Sequence, residues 1–385
     1  MRILHTADWH LGKLFYGNYL TEDQAYVLEQ QLLPMIRDEG IDAVVLAGDV
    51  YDRSLPPAEA VELFDDVATR ITADLHVPFL VISGNHDSPA RLSFASRLLA
   101  PQGLYMAGEL ERLTGPVVLE DDAGQVAYDL GDVLSAAHEL GHNRQCLGQD
   151  EVRSHQQAME ALLGWQGSQV PDGVRTVCVT HAFVAGGVAG DSERPLSIGG
   201  TDQVTSGLFA PFSYTALGHL HGPQKVTSDT IRYAGSLLKY SFGEARQHKG
   251  AVIADIGPDG KVDLAFRDFV PRHDVRIVSG TFEAIMAADD DRPDDFILVR
   301  LDDSQPILDG MARLRRKYPN AMAMEMPNRN TRAAGQRDFD VQQVTEQDLF
   351  TSFAQAMRPD QPLTEAEQDC VRTLWDELEK GGSLL

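Results

Sequence analysis

Residues 41–52 read Ile-Asp-Ala-Val-Val-Leu-Ala-Gly-Asp-Val-Tyr-Asp. Ile41 to Ala47 is an apolar run broken by one Asp, the pattern of a strand buried on both faces, and Gly48-Asp49-Val50-Tyr51-Asp52 turns polar where that strand stops. Upstream, Ile3-Leu4 sits in a short strand ending at Asp8; downstream, Val77 to Ile82 is the next buried strand. Two helices separate them. The first carries the stripe Leu28, Leu32 and Ile36, with Thr21-Glu22-Asp23-Gln24 as a capping box and Pro34 as a kink; Pro56-Pro57 opens the second. This β-α-β-α-β rhythm predicts an α/β fold with a largely parallel sheet at its core.

Strands follow at Val174–Val179, Tyr214–Leu217 and Ala251–Ile256, the last running into a Gly-Pro-Asp-Gly turn. Pro271 closes a first domain of residues 1–270. Residues 271–326 alternate strand, helix, strand, helix, strand, which predicts a small α+β domain, and 327–340 form a polar linker. Residues 341–385 hold two amphipathic helices. Thr345 caps one, before Leu349, Phe350, Phe353 and Met357; Thr364 caps the other, before Val371, Leu374, Trp375 and Leu378. Such faces ordinarily pack in a core. Beyond a polar linker they read as a helical partner-docking segment.

The chain has 385 residues with 33 basic and 58 acidic side chains, a net charge of −25 at pH 7. That surface repels nucleic acid on average, so contact with DNA requires a local basic patch, bound cations or a partner. The sequence holds one basic set: Arg313, Arg315, Arg316, Lys317, Arg329, Arg332 and Arg337. A DNA track, a face for an acidic partner, and a solvated helix and linker are the open readings of it. No run of ~18 uncharged apolar residues occurs, so no membrane span is expected. The opening Met-Arg-Ile-Leu-His-Thr-Ala-Asp does not read as a signal peptide. Cys146, Cys178 and Cys370 are isolated, which suits neither a disulfide framework nor a thiolate zinc site. A cytoplasmic protein is expected.

Five polar blocks stand where strands stop: Asp8-Trp9-His10, Gly48 to Asp52, Gly84-Asn85-His86-Asp87, Thr180-His181 and Gly218-His219-Leu220-His221. In open α/β sheets the carboxyl ends of strands are where sites assemble. Asp, His and Asn together are ligands for divalent cations. In an extended segment Asp8 and His10 project to one side, as do His219 and His221. Asp49, with two oxygens, can bridge. Two ions are therefore expected, one on Asp8, His10, Asp49 and His221, the other on Asp49, Asn85, His181 and His219. Such a pair activates water and clamps a phosphoryl group. Mixed nitrogen and oxygen ligands suit Mn²⁺ or Fe²⁺ better than Mg²⁺. His86 is placed to contact phosphoryl oxygens and protonate the leaving oxygen, with Asp52 orienting it. The glycines before Asp49, Asn85 and His219 permit sharp turns.

The order of these blocks resembles the calcineurin-like metallophosphoesterase superfamily and, within it, the SbcD-type DNA repair nucleases. The subfamily likeness rests on Leu4-His5-Thr6-Ala7-Asp8-Trp9-His10-Leu11-Gly12, Ala47 to Asp52, Tyr233-Ala234-Gly235-Ser236 and Ser241-Phe242-Gly243-Glu244. Archaeal and eukaryotic relatives carry a His where this chain, like bacterial members, has Asp52. The resemblance implies a β-sandwich flanked by helices with a small capping domain, and manganese-dependent exonuclease action on double-stranded ends. It also implies endonuclease action on single strands and hairpins, a homodimer within a heterotetramer, and an SbcC-type coiled-coil ATPase as partner. The chain has no Gly-x-x-x-x-Gly-Lys-Ser/Thr loop, so any ATP dependence belongs to that partner.

Rival readings are a small-molecule phosphodiesterase or protein phosphatase of the same superfamily, a binding module with a decayed site, and a zinc protease. His138-Glu139-Leu140-Gly141-His142 fits the protease pattern, but Gly141 weakens its helix and seven better-placed ligands would stand idle. None of those seven is missing, which counts against decay. Lys13, Tyr16, Arg53 and Arg91 flank the blocks as candidate phosphate contacts or solvated loop residues.

Overall fold

The computed structural model describes residues 1–109, 115–131, 154–193 and 203–327, together with 364 and 366–368. The chain forms two compact units, Met1–Met326 and Pro327–Leu385. In the first, two six-stranded sheets face each other. One has the order Val262–Asp268, Gly250–Ile256, Arg2–Thr6, Ala43–Ala47, Phe79–Ile82, Leu104–Ala107. Its last four strands are parallel, as the rhythm of the first 90 residues predicts, and the two returning from late in the chain pair antiparallel. The other has the order Gln224–Val226, Ser228–Tyr233, Tyr214–Gly218, Arg175–His181, Gly124–Leu130, Val117–Asp121, with the middle four parallel.

Strand alternation splits the first sheet between two cores. Ile3, Val45, Leu80 and Ile82 pack against Val126, Tyr128, Val177 and Val179 of the facing sheet. Leu4, Val44, Leu46 and Val81 point the other way, onto Val27, Leu32, Leu63 and Phe64 of the covering helices. Both faces of Ala43–Ala47 are therefore dry, which is why its sequence shows no polar alternation. The result is a β-sandwich flanked by helices.

Two expectations for the first helix need correction. Helix Thr21–Val27 has no side-chain cap, because Gln24 turns into the interior instead of back to Thr21. The kink expected at Pro34 takes the form of a π-helical turn, Leu28–Leu32, ahead of helix Leu33–Asp38; proline has no N–H for the regular ladder.

Residues 275–325 form a parallel sheet of Val275–Gly280, Phe296–Leu301 and Ala321–Glu325, with helices Phe282–Ala287 and Gly310–Leu314. Phe282, Ile285, Ile297, Val299 and Leu314 make its own small core, while Val275, Phe296 and Leu298 join the main core beside Phe15 and Phe242. Most of the described basic set braces this element. Arg313 stacks on Phe282 at 4.3 Å, Arg315 donates to the Ala321 carbonyl, and Lys317 donates to the Ile285 carbonyl at 2.6 Å, at the end of its helix. Arg329, Arg332 and Arg337 lie outside the described residues.

In the second unit, Thr364 and Glu367 form a capping box: the Glu367 carboxylate accepts from the Thr364 N–H at 2.8 Å and the Thr364 hydroxyl accepts from the Glu367 N–H at 3.4 Å. The helix expected after Thr345, and the apolar positions Leu349, Phe350, Phe353, Met357, Val371, Leu374, Trp375 and Leu378, lie outside the described residues. So do His138, Glu139, His142, Cys146 and Cys370. Among the described residues no helix is long and apolar enough to cross a membrane.

His5 gives this fold an acid limit. Its ring is fully buried between the sheets, with Nδ1 on the Tyr214 hydroxyl at 2.9 Å and Nε2 on the Leu217 carbonyl at 3.2 Å. Burial is the main force that lowers its pKa from 6.5 to about 3. Below pH ~6.5 the unfolded chain takes a proton that the folded ring refuses. Stability is thus lost as pH falls, by up to about 1.4 kcal/mol per pH unit for this group. Denaturant unfolding between pH 7 and 4 should show a shallower acid limb for His5→Gln than for wild type. Superimposable limbs would remove His5 from the account.

Candidate metal centre

The parallel strands of both sheets end at one rim. Arg2–Thr6, Ala43–Ala47 and Phe79–Ile82 lead into Asp8 to His10, Asp49 to Asp52 and Asn85 to Asp87; Arg175–His181 and Tyr214–Gly218 end at His181 and lead into His219 to His221. The structure brings all seven expected ligands together there. His10 Nε2 and His221 Nε2 are 3.1 Å apart, and Asp49 Oδ2 is 3.5 Å from both His10 Nε2 and His181 Nε2. Asn85 Oδ1 lies 2.9 Å from His181 Nε2 and 3.3 Å from His219 Nδ1. Asp8, His10 and His221 form one compact group and Asp8, Asp49 and His181 another; a ring nitrogen of His86 approaches His10 and Asp49.

The route to this geometry differs from the one expected. Asp8 and His10 do not alternate along a strand: the strand ends at Thr6, and both adopt left-handed backbone, φ 51° and 46°. Asp49 (49°) and His219 (107°) are strained likewise. The glycines also act differently from turn-formers. Of Gly48, Gly84 and Gly218, which precede the ligands, Gly48 alone has positive φ. A β-carbon at Gly84 would overlap the Asp49 carboxylate, and one at Gly218 the Ala47 carbonyl. These two let loops meet, and the strain sits on the ligands.

Donor and acceptor bookkeeping shows that the cluster fits cations. His181 Nδ1 donates to the Ala47 carbonyl at 3.0 Å, which leaves Nε2 facing the oxygens of Asn85 and Asp49 as the nitrogen available to a cation. His10 Nδ1 is buried with no hydrogen-bond partner, while its Nε2 confronts another imidazole. Burial pushes the Asp8 carboxyl up to about 7 and holds the rings of His10 and His219 well below their ordinary range. The carboxylates take main-chain donors, Asp8 from the His219 N–H and Asp49 from the His86 N–H, yet ring nitrogens and oxygens still crowd one point, an arrangement a divalent cation satisfies. Asp49 offers a bridge through one oxygen, since Oδ1 accepts from the His86 N–H at 2.8 Å.

His86 stands beside the His10 ring, centroids 4.6 Å apart. Its Nδ1 donates to the main-chain carbonyl of Asp52 at 2.8 Å. Asp52 thus meets His86 through its main chain, while its carboxylate takes the Lys13 ammonium at 2.8 Å and faces His10 Nδ1 at 3.8 Å. Lys13 is thereby engaged in an ion pair. Tyr16 is exposed, Arg53 lies 3.8 Å from Asp52, and Arg91 is exposed beside the apolar cleft of Tyr51 and Phe94.

A family model for calcineurin-like phosphoesterases matches residues 1–182, and a model described as the type 5 capsule protein repressor C-terminal domain (SbcD_C) matches residues 271–358. Over 380 residues the chain is 31% identical to the SbcD subunit of the nuclease SbcCD from Staphylococcus epidermidis, covering 97% of this chain and 98% of that protein. The chain belongs to the SbcD family. It is a metal-dependent nuclease subunit built on a calcineurin-like phosphoesterase domain. A solved structure titled GAP50, the anchor in the inner membrane complex of Plasmodium, aligns at 14% identity and TM-score 0.38 over 71% of this chain and 90% of that one, too weakly to support any argument.

Five further residues support this SbcD-family site, and the sequence pointed to none of them as such, Gln24 reading only as part of a capping box. Gln24 accepts from the Gly12 N–H and donates to the carbonyls of Trp9 and His10 and to the Tyr240 hydroxyl, fixing the first loop. Asp87 accepts from the N–H groups of Val50, Tyr51 and Gly84 at 3.0, 2.9 and 3.0 Å, pinning the second loop to the third. Ser192 lies 2.7 Å from His221 Nδ1 and donates in turn to Glu244, which pairs with buried Lys249 at 2.5 Å. Burial works against the Glu244 charge, yet His221 and Lys249 hold its carboxyl far below the ordinary range. This chain turns His221 Nε2 toward the site. Asp87 and Glu244 lie within quoted motifs, but the partners of all five became visible only in three dimensions.

Proposed function

We propose that this chain is a two-metal-ion DNA phosphodiesterase, the nuclease subunit of an SbcC-SbcD type complex, and that Mn²⁺ is its working ion. The carrying observation is the paired group of imidazoles and carboxylates around Asp49 Oδ2. Asp8, His10, Asp49 and His221 would hold one cation, and Asp49, Asn85, His181 and His219 the other. Such ions supply Lewis acidity that activates water and neutralises the phosphoryl charge.

The protein's own groups do the rest. With Nδ1–H committed to the Asp52 carbonyl, His86 uses Nε2 to meet a phosphoryl oxygen and to give a proton to the leaving sugar oxygen. Asp52 supports this through its main chain, and through its carboxylate holds Lys13 near His10. Double-stranded ends (exonuclease) and single-stranded or hairpin DNA (endonuclease) are the proposed substrates. Because the donors mix imidazole with carboxylate, Mn²⁺ should drive cleavage of single-stranded DNA far better than Mg²⁺, without ATP. Robust cleavage in chelator, or equal rates with Mg²⁺, would refute the two-ion reading.

The proposed partners are DNA, an SbcC-type ATPase and a second copy of this chain, in a cytoplasmic homodimer within a heterotetramer. Leu55, Phe94 and Leu98, 63–78% exposed on one side of the nuclease core, support the contact with a second copy. Residues 341–385 hold three basic and nine acidic side chains, a composition unsuited to binding DNA. Deleting them should abolish co-purification with the ATPase and leave manganese-dependent single-strand cleavage near wild type. Retained tight ATPase binding would end the docking reading of that segment.

A further inference from the structure

On the outer face of the second sheet, helix His155–Gly167 covers a cavity of about 590 Å³ that shares no residue with the metal centre. Glu160, Leu163, Gly164 and Gly167, one face of that helix, line it. A β-carbon at Gly164 or Gly167 would meet nothing within 4 Å, so the two glycines leave the space open. Leu208 and Phe212 supply apolar walls, and Asp172 lines it as well. Among the described residues the lining contains no Lys or Arg.

Asp129 lines this cavity from the sheet. Strand alternation explains its direction: Val126, Tyr128 and Leu130 enter the core between the sheets, so Asp129 faces the helix side, opposite Cys178 in register. The residue is 1% exposed, and its Oδ1 is buried without a hydrogen-bond partner. Burial pushes its carboxyl up to about 7. A buried acid with no partner is costly, and nothing in the metal centre uses it.

We propose that this cavity is a binding site for an alkyl cation, an ammonium or guanidinium on an apolar stem, with Asp129 as the counter-charge at its base. The stem packs on Leu163, Leu208 and Phe212, the cationic head meets Asp129, and Glu160 and Asp172 favour its entry. A polyamine and an arginine or lysine side chain of a partner protein share that chemistry.

Calorimetric titration of the full chain with n-butylguanidinium and with its neutral isostere n-butylurea tests this. Wild type should bind the guanidinium at least ~10-fold more tightly than the urea, and Asp129→Asn should erase that preference. Asp129→Asn should melt no lower than wild type, since the amide removes a buried acid. Gly164→Leu keeps Asp129 and fills the space from the helix; it should lose the guanidinium as well, with nuclease activity retained in both variants. Equal binding of the two probes, no binding of either, or an unchanged preference in Asp129→Asn would overturn the proposal. Spermidine and a blocked Leu-Arg-Leu peptide then distinguish the sources, the tighter binder identifying which one the site serves.

Discussion

Asp49→Asn should reduce manganese-dependent cleavage of single-stranded DNA by on the order of 10³-fold or more, and should lower the bound metal below two ions per chain. The amide still offers Oδ1 to the His86 N–H, so the loop keeps its hydrogen bond. What disappears is the negative charge at Oδ2, 3.5 Å from both His10 and His181. His86→Ala is the companion. Its activity should fall by roughly 10²–10⁴-fold, the range of a lost general acid, while two ions stay bound. Metal content measured after gel filtration separates the two. An empty His86→Ala site would make that ring, which stands within reach of His10 and Asp49, a ligand and overturn its role as acid.

Asp87→Ala should be the most destabilising single change at the site. Three main-chain donors lose their acceptor at once, and Val50 among them is fully buried. Each unsatisfied donor costs about 1–3 kcal/mol, reduced where water enters, so a total near 3–5 kcal/mol is expected. For a unit spanning Met1–Met326 that corresponds to a melting temperature lower by about 4–7 °C. Asp87→Asn, which keeps one acceptor oxygen, should lose about half as much. Metal affinity should fall in step with stability, because Asp87 joins the Asp49 loop to the Asn85 loop. A normal melting temperature for Asp87→Ala would mean that the loops are held by something else.

How much of this centre was legible in the sequence follows from the kind of interaction involved. Asp8, Asp49, Asn85 and His181 announced themselves because each interrupts an apolar run at a strand's end, where a polar residue has no role in the core. Among the supports only Asp87 stood in such a block, and nothing there marked it as a brace for main-chain donors. Gln24 looked like a capping residue, since Thr-x-x-Gln at a helix start is a local pattern; its actual partners, Trp9, His10 and Tyr240, include one 216 residues away. Glu244 and Lys249 sat in a late segment whose only visible feature was a family-like motif.

The six other sandwich strands, Leu104–Ala107, Val117–Asp121, Gly124–Leu130, Gln224–Val226, Ser228–Tyr233 and Val262–Asp268, gave no readable pattern. The sequence by itself determined the strands that carry the site, the two-sided burial of Ala43–Ala47, and the positions at which charge and imidazole gather. Those properties are local: alternation, apolar runs and turn residues act over a few neighbours. Only the tertiary structure decided which strands share a sheet, that Asp8, His10, Asp49 and His219 carry left-handed backbone, and that Gly84 and Gly218 serve close approach rather than turning. It alone placed Asp129 beneath a helix with no partner. Each of those outcomes depends on the other sheet or another loop being in place, and a contact across 200 residues leaves no period in the chain to read.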